Sequence, residues 1–219
     1  MSATGKKDAA VRTQSFLEKN SKSILFLFGA IIIIVGGYFG YKYLVKAPEN
    51  EKAVEAIAQA QQYFAADSLQ LALNGDGKNA GFLKVISKYG STPSGNLAKL
   101  YAGEAYLSLG DFNNAIKYLN DFNANGSSQT QAMVYGMLGD AYSELQKNEE
   151  AVSNYKKAAT TFEKNATLSS EYLFRAASLY EVMGKNKEAI ELFTQLKEKY
   201  PNTERGFNAD KYLGKLGAQ

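Results

Sequence analysis

The stretch GDAYSELQKNEEAVSNY, residues 139–155, decides the fold. In it the small residue Gly139 is followed three positions on by Tyr142, nine later by Ala151 and four after that by Tyr155. The same skeleton stands upstream as Gly103, Tyr106, Ala115 and Leu119, and downstream as Ala177, Tyr180, Ala189 and Phe193. Ala115, Ala151 and Ala189 therefore follow one another at a nearly constant step. Self-similarity at such a period marks stacked units, each too small to bury its apolar face alone, that share one continuous core.

Two further stretches, three such steps apart, match in order: Lys88, Tyr89, Thr92, Gly95, Ala98, Tyr101 and Gly103 recur as Lys199, Tyr200, Thr203, Gly206, Ala209, Tyr212 and Gly214. A helix ending in Lys-Tyr, a turn, a Ser/Thr start and a new helix therefore occur at both ends of the array. The later copy reaches Gln219 without a second helix, so Thr203 to Leu216 reads as a single solvating helix over the last apolar face. The skeleton resembles the tetratricopeptide repeat, which implies pairs of antiparallel helices that bind proteins. The spacing predicts helices at about 94–109, 112–123, 129–145, 148–161, 168–183 and 186–199. Gly110-Asp111, Lys147-Asn148 and Gly184-Lys185-Asn186 stand where each hairpin must reverse.

Ahead of the array lies ILFLFGAIIIIVGGYFGY, an unbroken run from Ile24 to Tyr41 without a charge. A helix of about 20 apolar residues crosses a bilayer core, and Ser23 to Val45 supplies that length once Lys42 reaches the interface. A cleaved signal peptide has a shorter apolar region with a small-residue cleavage site after it, whereas Tyr38, Tyr41 and Tyr43 close this run. Lys6, Lys7, Arg12, Lys19 and Lys22 precede the span, against Lys42, Lys46 and Lys52 at its exit. This bias places the N-terminus in the cytoplasm and the array on the far side of the membrane. Residues 1–45 hold six basic and two acidic side chains, so the overall charge of +3 falls to −1 in the remainder. The basic balance is a topology signal and gives no footprint for nucleic acid.

The expected architecture is all-α: an N-terminal transmembrane helix, then a tetratricopeptide-repeat α-solenoid of helical hairpins with a C-terminal capping helix. The boundaries read as a cytoplasmic tail at 1–22, the span at 23–45, a degenerate first repeat at 46–93, three repeats at 94–201 and the cap at 202–219. In the first repeat, Ala47-Pro48-Glu49 is a helix start. Val54, Ile57, Gln61 and Phe64 keep helical spacing, and Phe82, Val85, Ile86 and Tyr89 form the partner helix.

Cysteine and histidine are both absent, which removes disulfides, thiol nucleophiles, the usual zinc ligand sets, a lipoprotein anchor and the commonest acid–base side chain. No catalytic, cofactor or metal residues are expected. Gly75-Asp76-Gly77-Lys78 fails as a phosphate loop, since Asn79 follows the lysine, and as a calcium loop, since Val85 stands at the twelfth position.

Two surfaces remain. In this architecture the first helix of each pair lines a concave groove, with inward positions Leu97, Leu100, Glu104 and Leu107, then Met133, Gly136, Asp140 and Glu144, then Glu171, Phe174, Ser178 and Glu181. The groove is expected to be apolar and acidic, suited to peptide segments with apolar anchors and basic flanks. In the span, Gly29, Gly36 and Gly40 share one face, and the last two make a G-x-x-x-G packing spacing.

The whole architecture, the span together with LAKLYAGEAYLSLGDFNNAIKYL, VYGMLGDAYSELQKNEEAVSNYKKA and AASLYEVMGKNKEAIELFTQLKEKYP, resembles the YfgM-like family of ancillary Sec translocon subunits. That resemblance implies partners: the translocon channel, a membrane-anchored periplasmic chaperone of the prolyl-isomerase type, and exported polypeptides. The alternative is a structural adaptor of another cell-envelope complex, in secretion, division or outer-membrane assembly.

Overall fold

Five helices of the repeat region begin on a side-chain cap. Thr92, Asp111, Ser127, Asn165 and Thr203 accept the backbone N–H three residues on, at 3.0 to 3.3 Å. Each such cap stabilises its helix by about 1 kcal/mol. The computed structural model describes residues 3–218, with side chains described for residues 19–218. No strand occurs among them beyond an isolated bridge between Gly75 and Ala80.

The chain forms two compact units, residues 1–51 and 52–219. The first contains α1 (Ala3–Tyr41), a π-helical segment at Lys42–Lys46 and the start of α2 (Ala47–Ala65). The polar segment 1–22, expected as a tail, is helical from Ala3 as part of α1. Lys6, Lys7 and Arg12 lie outside the described side chains, and Met1, Ser2 and Gln219 outside the described residues. Leu25, Phe26, Ile32, Ile33, Ile34 and Leu44 are each more than two thirds exposed. The helix is long and apolar enough to cross a membrane.

The second unit continues with α3 (Leu69–Asn74), α4 (Phe82–Tyr89), α5 (Pro93–Ser108), α6 (Phe112–Asp121), α7 (Ser128–Glu144), α8 (Asn148–Thr161), α9 (Ala166–Val182), α10 (Asn186–Lys199), α11 (Glu204–Phe207) and α12 (Ala209–Lys215). The pairs α5/α6, α7/α8 and α9/α10 reverse through one left-handed residue each: Gly110 (φ 77°), Gln146 (φ 57°) and Gly184 (φ 72°). The middle hairpin therefore turns on Gln146, one position ahead of the expected Lys147-Asn148.

The two matching stretches, three repeats apart, build the same junction. Thr92 Oγ1 donates to the Tyr89 carbonyl at 2.8 Å, and Thr203 Oγ1 to that of Tyr200 at 2.9 Å. A Cβ at Gly95 or Gly206 would run into those same carbonyls, so both positions need glycine for close backbone approach. Above each junction sits an aromatic triad. Phe82 stacks on Tyr101 at 5.3 Å with Phe64 edge-on, and Phe193 stacks on Tyr212 at 5.1 Å with Phe174 edge-on. Aromatic pairs of this geometry add about 0.5–1.5 kcal/mol beyond the area they bury.

Two details depart from the sequence pattern. In α2 the buried stripe is Ala53, Ile57 and Ala60, while Val54 is half exposed. Ala53, Ile57 and Ala60 pack into one core cluster with Phe82, Val85 and Tyr89 of α4 and Ala98 of α5. The single C-terminal helix expected over Thr203–Leu216 is instead two, α11 and α12. Asn208 stands between them and donates its side-chain amide to the Glu204 carbonyl at 2.8 Å. The backbone N–H of Asn208 reaches the same carbonyl at 3.2 Å, so the side chain shares that acceptor with the helix ladder.

Candidate protein-interaction groove

Helices α5, α7 and α9 are the first members of their pairs and carry the residues expected to face the groove. On α5, Leu97, Leu100, Glu104 and Leu107 share one face at helical spacing. Leu97 is exposed, Leu100 packs partly against Leu119, Val134 and Leu138, and Glu104 and Leu107 are half-buried. On α7, Met133 is 45% exposed and Glu144 is exposed. Gly136 is no groove floor, because the ring of Tyr172 from α9 lies directly on it.

The acidic character expected of this face is largely consumed by the chain itself. Asp140 accepts Arg175 Nη1 at 2.6 Å and the Tyr155 hydroxyl at 2.7 Å. Arg175 Nε reaches back to Glu171 at 3.0 Å, and Glu171 accepts Arg205 Nε at 2.7 Å. Glu181 pairs with Lys215. Phe174, expected as an open anchor, packs against Phe193 and Tyr212, and the Arg205 guanidinium lies 4.1 Å from its ring centroid. Ser178 is half-buried on the same face.

Burial pushes Glu171 up, but hydrogen bonds from Arg205 and Arg175 outweigh it and hold the carboxyl below its ordinary range. Burial also works against the Arg175 charge, and the two carboxylates override it and keep the guanidinium protonated. Tyr155 is raised by burial first and by its bond to Asp140 second. The sequence reading missed Arg175, Arg205 and Lys215. Their signal is one of period: the ion-paired partners Asp140–Arg175, Glu171–Arg205 and Glu181–Lys215 lie one repeat apart, as do Glu149–Lys185 and Glu163–Lys199.

Residues 14–137, more than half of the chain, match the family described as a tetratricopeptide repeat-like domain. The chain belongs to that family. Further tetratricopeptide repeat patterns match residues 132–165 and 171–203. Among solved structures, the chain is similar to the MamA protein, at 18% identity over 77% of this chain and 84% of that one, with a TM-score of 0.58. It is also similar to kinesin light chain nearly identical TPR-like repeats of Podosopora anserina, at 17% identity over 75% and 85%, with a TM-score of 0.56. At these identities the likeness is one of fold. No curated protein sequence matches the chain.

As a tetratricopeptide repeat protein the chain is a protein–protein interaction module, and no catalytic family is indicated. The Gly75–Lys78 loop between α3 and α4 is folded on itself. Asp76 accepts the backbone N–H groups of Asn79 (2.6 Å) and Lys78 (2.9 Å), the Tyr63 hydroxyl and the Asn79 amide, and these bonds hold its carboxyl well below the usual range. In α1 of this repeat protein a Cβ at Gly29, Gly36 or Gly40 would meet nothing within 4 Å, so the expected packing face is open.

Proposed function

We propose that the protein is a membrane-anchored interaction module of the bacterial cell envelope. Its N-terminus is cytoplasmic and its repeats periplasmic, and it serves as an ancillary subunit of the Sec translocon that holds exported polypeptides or a periplasmic chaperone. One observation supports the reading: the family match runs from residue 14 to residue 137, so the apolar segment and the repeats as far as α7 fall within one family pattern. The basic residues before the span favour the orientation, and the resemblance of the whole architecture to the YfgM-like family supports the translocon. The mechanism needs no tight site. An anchor beside the channel raises the local concentration of emerging segments, so weak capture on Leu97, Leu100, Leu107 and Met133 is enough. Gly29, Gly36 and Gly40 would let the span pack closely against a helix of the channel.

A structural adaptor of another envelope machine is the second reading, favoured by the ion pairs that close much of the concave face and leave a small patch suited to one partner. Affinity purification of the tagged full-length protein from gently solubilised membranes, with partners identified by mass spectrometry, separates the two. Translocon subunits together with many exported proteins are expected. One stoichiometric envelope complex without the translocon would overturn the proposal in favour of the adaptor.

A further inference from the structure

We infer that the open, N-terminal part of the concave face takes an apolar polypeptide segment carrying one lysine or arginine, whose cation seats on the Glu104 carboxylate. The inference rests on the groove reading above and assigns the chemistry of its ligand.

The repeat register carries the argument. Each first helix has a residue directly after its small position: Glu104 after Gly103, Asp140 after Gly139, Ser178 after Ala177. Asp140 is met by Arg175, which stands two places before the small position of the following repeat. The residue in that place opposite Glu104 is Met137, which packs partly against Leu119, Val134 and Leu138. The array thus repeats the acid but omits its cation.

The consequences are visible at Glu104. Its side chain makes no ion pair or hydrogen bond among the described residues, it is half-buried, and burial raises its carboxyl. An unpaired carboxylate in a partly desolvated place is an attractive seat for a cation. The surroundings on α5 and at the same register of α7 are apolar: Leu97, Leu100, Leu107 and Met133. Farther along, Asp140, Glu171 and Glu181 already hold Arg175, Arg205 and Lys215, and the remaining acid, Glu144, is exposed at the end of α7, so Glu104 is the half-buried acid of the face left without a cation. Charge complementarity therefore points to a segment with apolar side chains around one cationic side chain, and against acidic segments.

The test uses the full-length protein in detergent micelles and three fluorescein-labelled peptides of alternating leucine and serine that differ at one central residue: lysine, glutamine or glutamate. Anisotropy should show the lysine peptide binding about tenfold more tightly than the glutamine peptide, and the glutamate peptide most weakly. Glu104→Gln, which keeps size and helix, should remove the difference between the lysine and glutamine peptides. Glu198→Gln, on the exposed side of α10, should retain the preference. Equal affinities for lysine and glutamine on the unaltered protein, or a preference that survives Glu104→Gln, would overturn this inference and leave the groove standing. Binding of none of the peptides would overturn both.

Discussion

Gly139 and Gly214 occupy the same place in the repeat yet should respond to alanine with opposite signs. A Cβ at Gly139 would stand 2.5 Å from two ring carbons of Tyr155. Relaxed carbon contacts are about 3.5–4.0 Å, so the ring must move by about 1 Å. It has little room: Tyr155 is 5% exposed and its hydroxyl is fixed on Asp140 at 2.7 Å. With the ring pinned, overpacking costs about 2–3 kcal/mol, the upper part of its usual range, and the gain in helix propensity returns about 1 kcal/mol, for a net loss of about 1–2 kcal/mol. At Gly214 a Cβ would meet nothing within 4 Å, so Gly214→Ala keeps the propensity gain without the clash. Thermal unfolding of the full chain in detergent micelles, followed by far-ultraviolet circular dichroism, reads about 2–4 °C per kcal/mol for a chain of this length. Gly139→Ala should melt several degrees lower and Gly214→Ala should melt no lower than the parent. On a Tyr155→Leu background the cost of Gly139→Ala should shrink, because the ring that blocks the methyl is gone. A Gly139→Ala protein as stable as the parent would refute the argument that this glycine exists to admit the Tyr155 ring.

Leu107→Asp and Phe174→Asp should separate surface from core. Leu107→Asp should abolish peptide capture with helicity retained and a smaller drop in melting temperature than Phe174→Asp, because Leu107 is half-buried whereas Phe174 packs into the last core cluster. Phe174→Asp breaks the triad with Phe193 and Tyr212 and destabilises by about 3 kcal/mol. In acid, Glu171 and Asp76 both have folded carboxyls below their unfolded values. The stability they contribute is present above about pH 4 and is lost as pH falls through the folded values. Urea titrations at descending pH should show a shallower acid loss for Glu171→Gln and for Asp76→Asn than for the parent. The cysteine-free sequence also makes topology readable. Introduced singly, Lys164→Cys should react with a membrane-impermeant maleimide on spheroplasts and Ser21→Cys should not, and the reverse pattern would turn the protein around in the membrane.

The fold is legible because the small, aromatic, alanine and apolar positions recur at fixed spacing, and they mark packing contacts. Leu119 meets Gly103, Tyr155 meets Gly139, and Phe193 sits at the centre of the last cluster. The repeated junction is legible for the same reason: Gly95 and Gly206 are forced by backbone approach. Phe64 and Phe174 do not announce themselves as matching members of the two triads, because their flanking residues differ. The Gln146 turn carries no glycine to mark it. The concave face is the least legible part. Spacing reads its positions one helix at a time, but its charge state is set between helices, where Asp140 finds Arg175 and Glu171 finds Arg205 one repeat away. Spacing alone puts Glu104 on the α5 face, and its lack of a partner emerges once the register of Met137 is compared with that of Arg175.

The most direct test of the account is site-specific photocrosslinking in native membranes, with a photoreactive residue at Met133 on the open face or at Lys187 on the exposed side of α10 of the full-length protein. The account predicts polypeptide adducts from Met133 that weaken with Leu107→Asp, and few from Lys187. Equal adducts from both sites, or adducts from Met133 indifferent to Leu107→Asp, would contradict it.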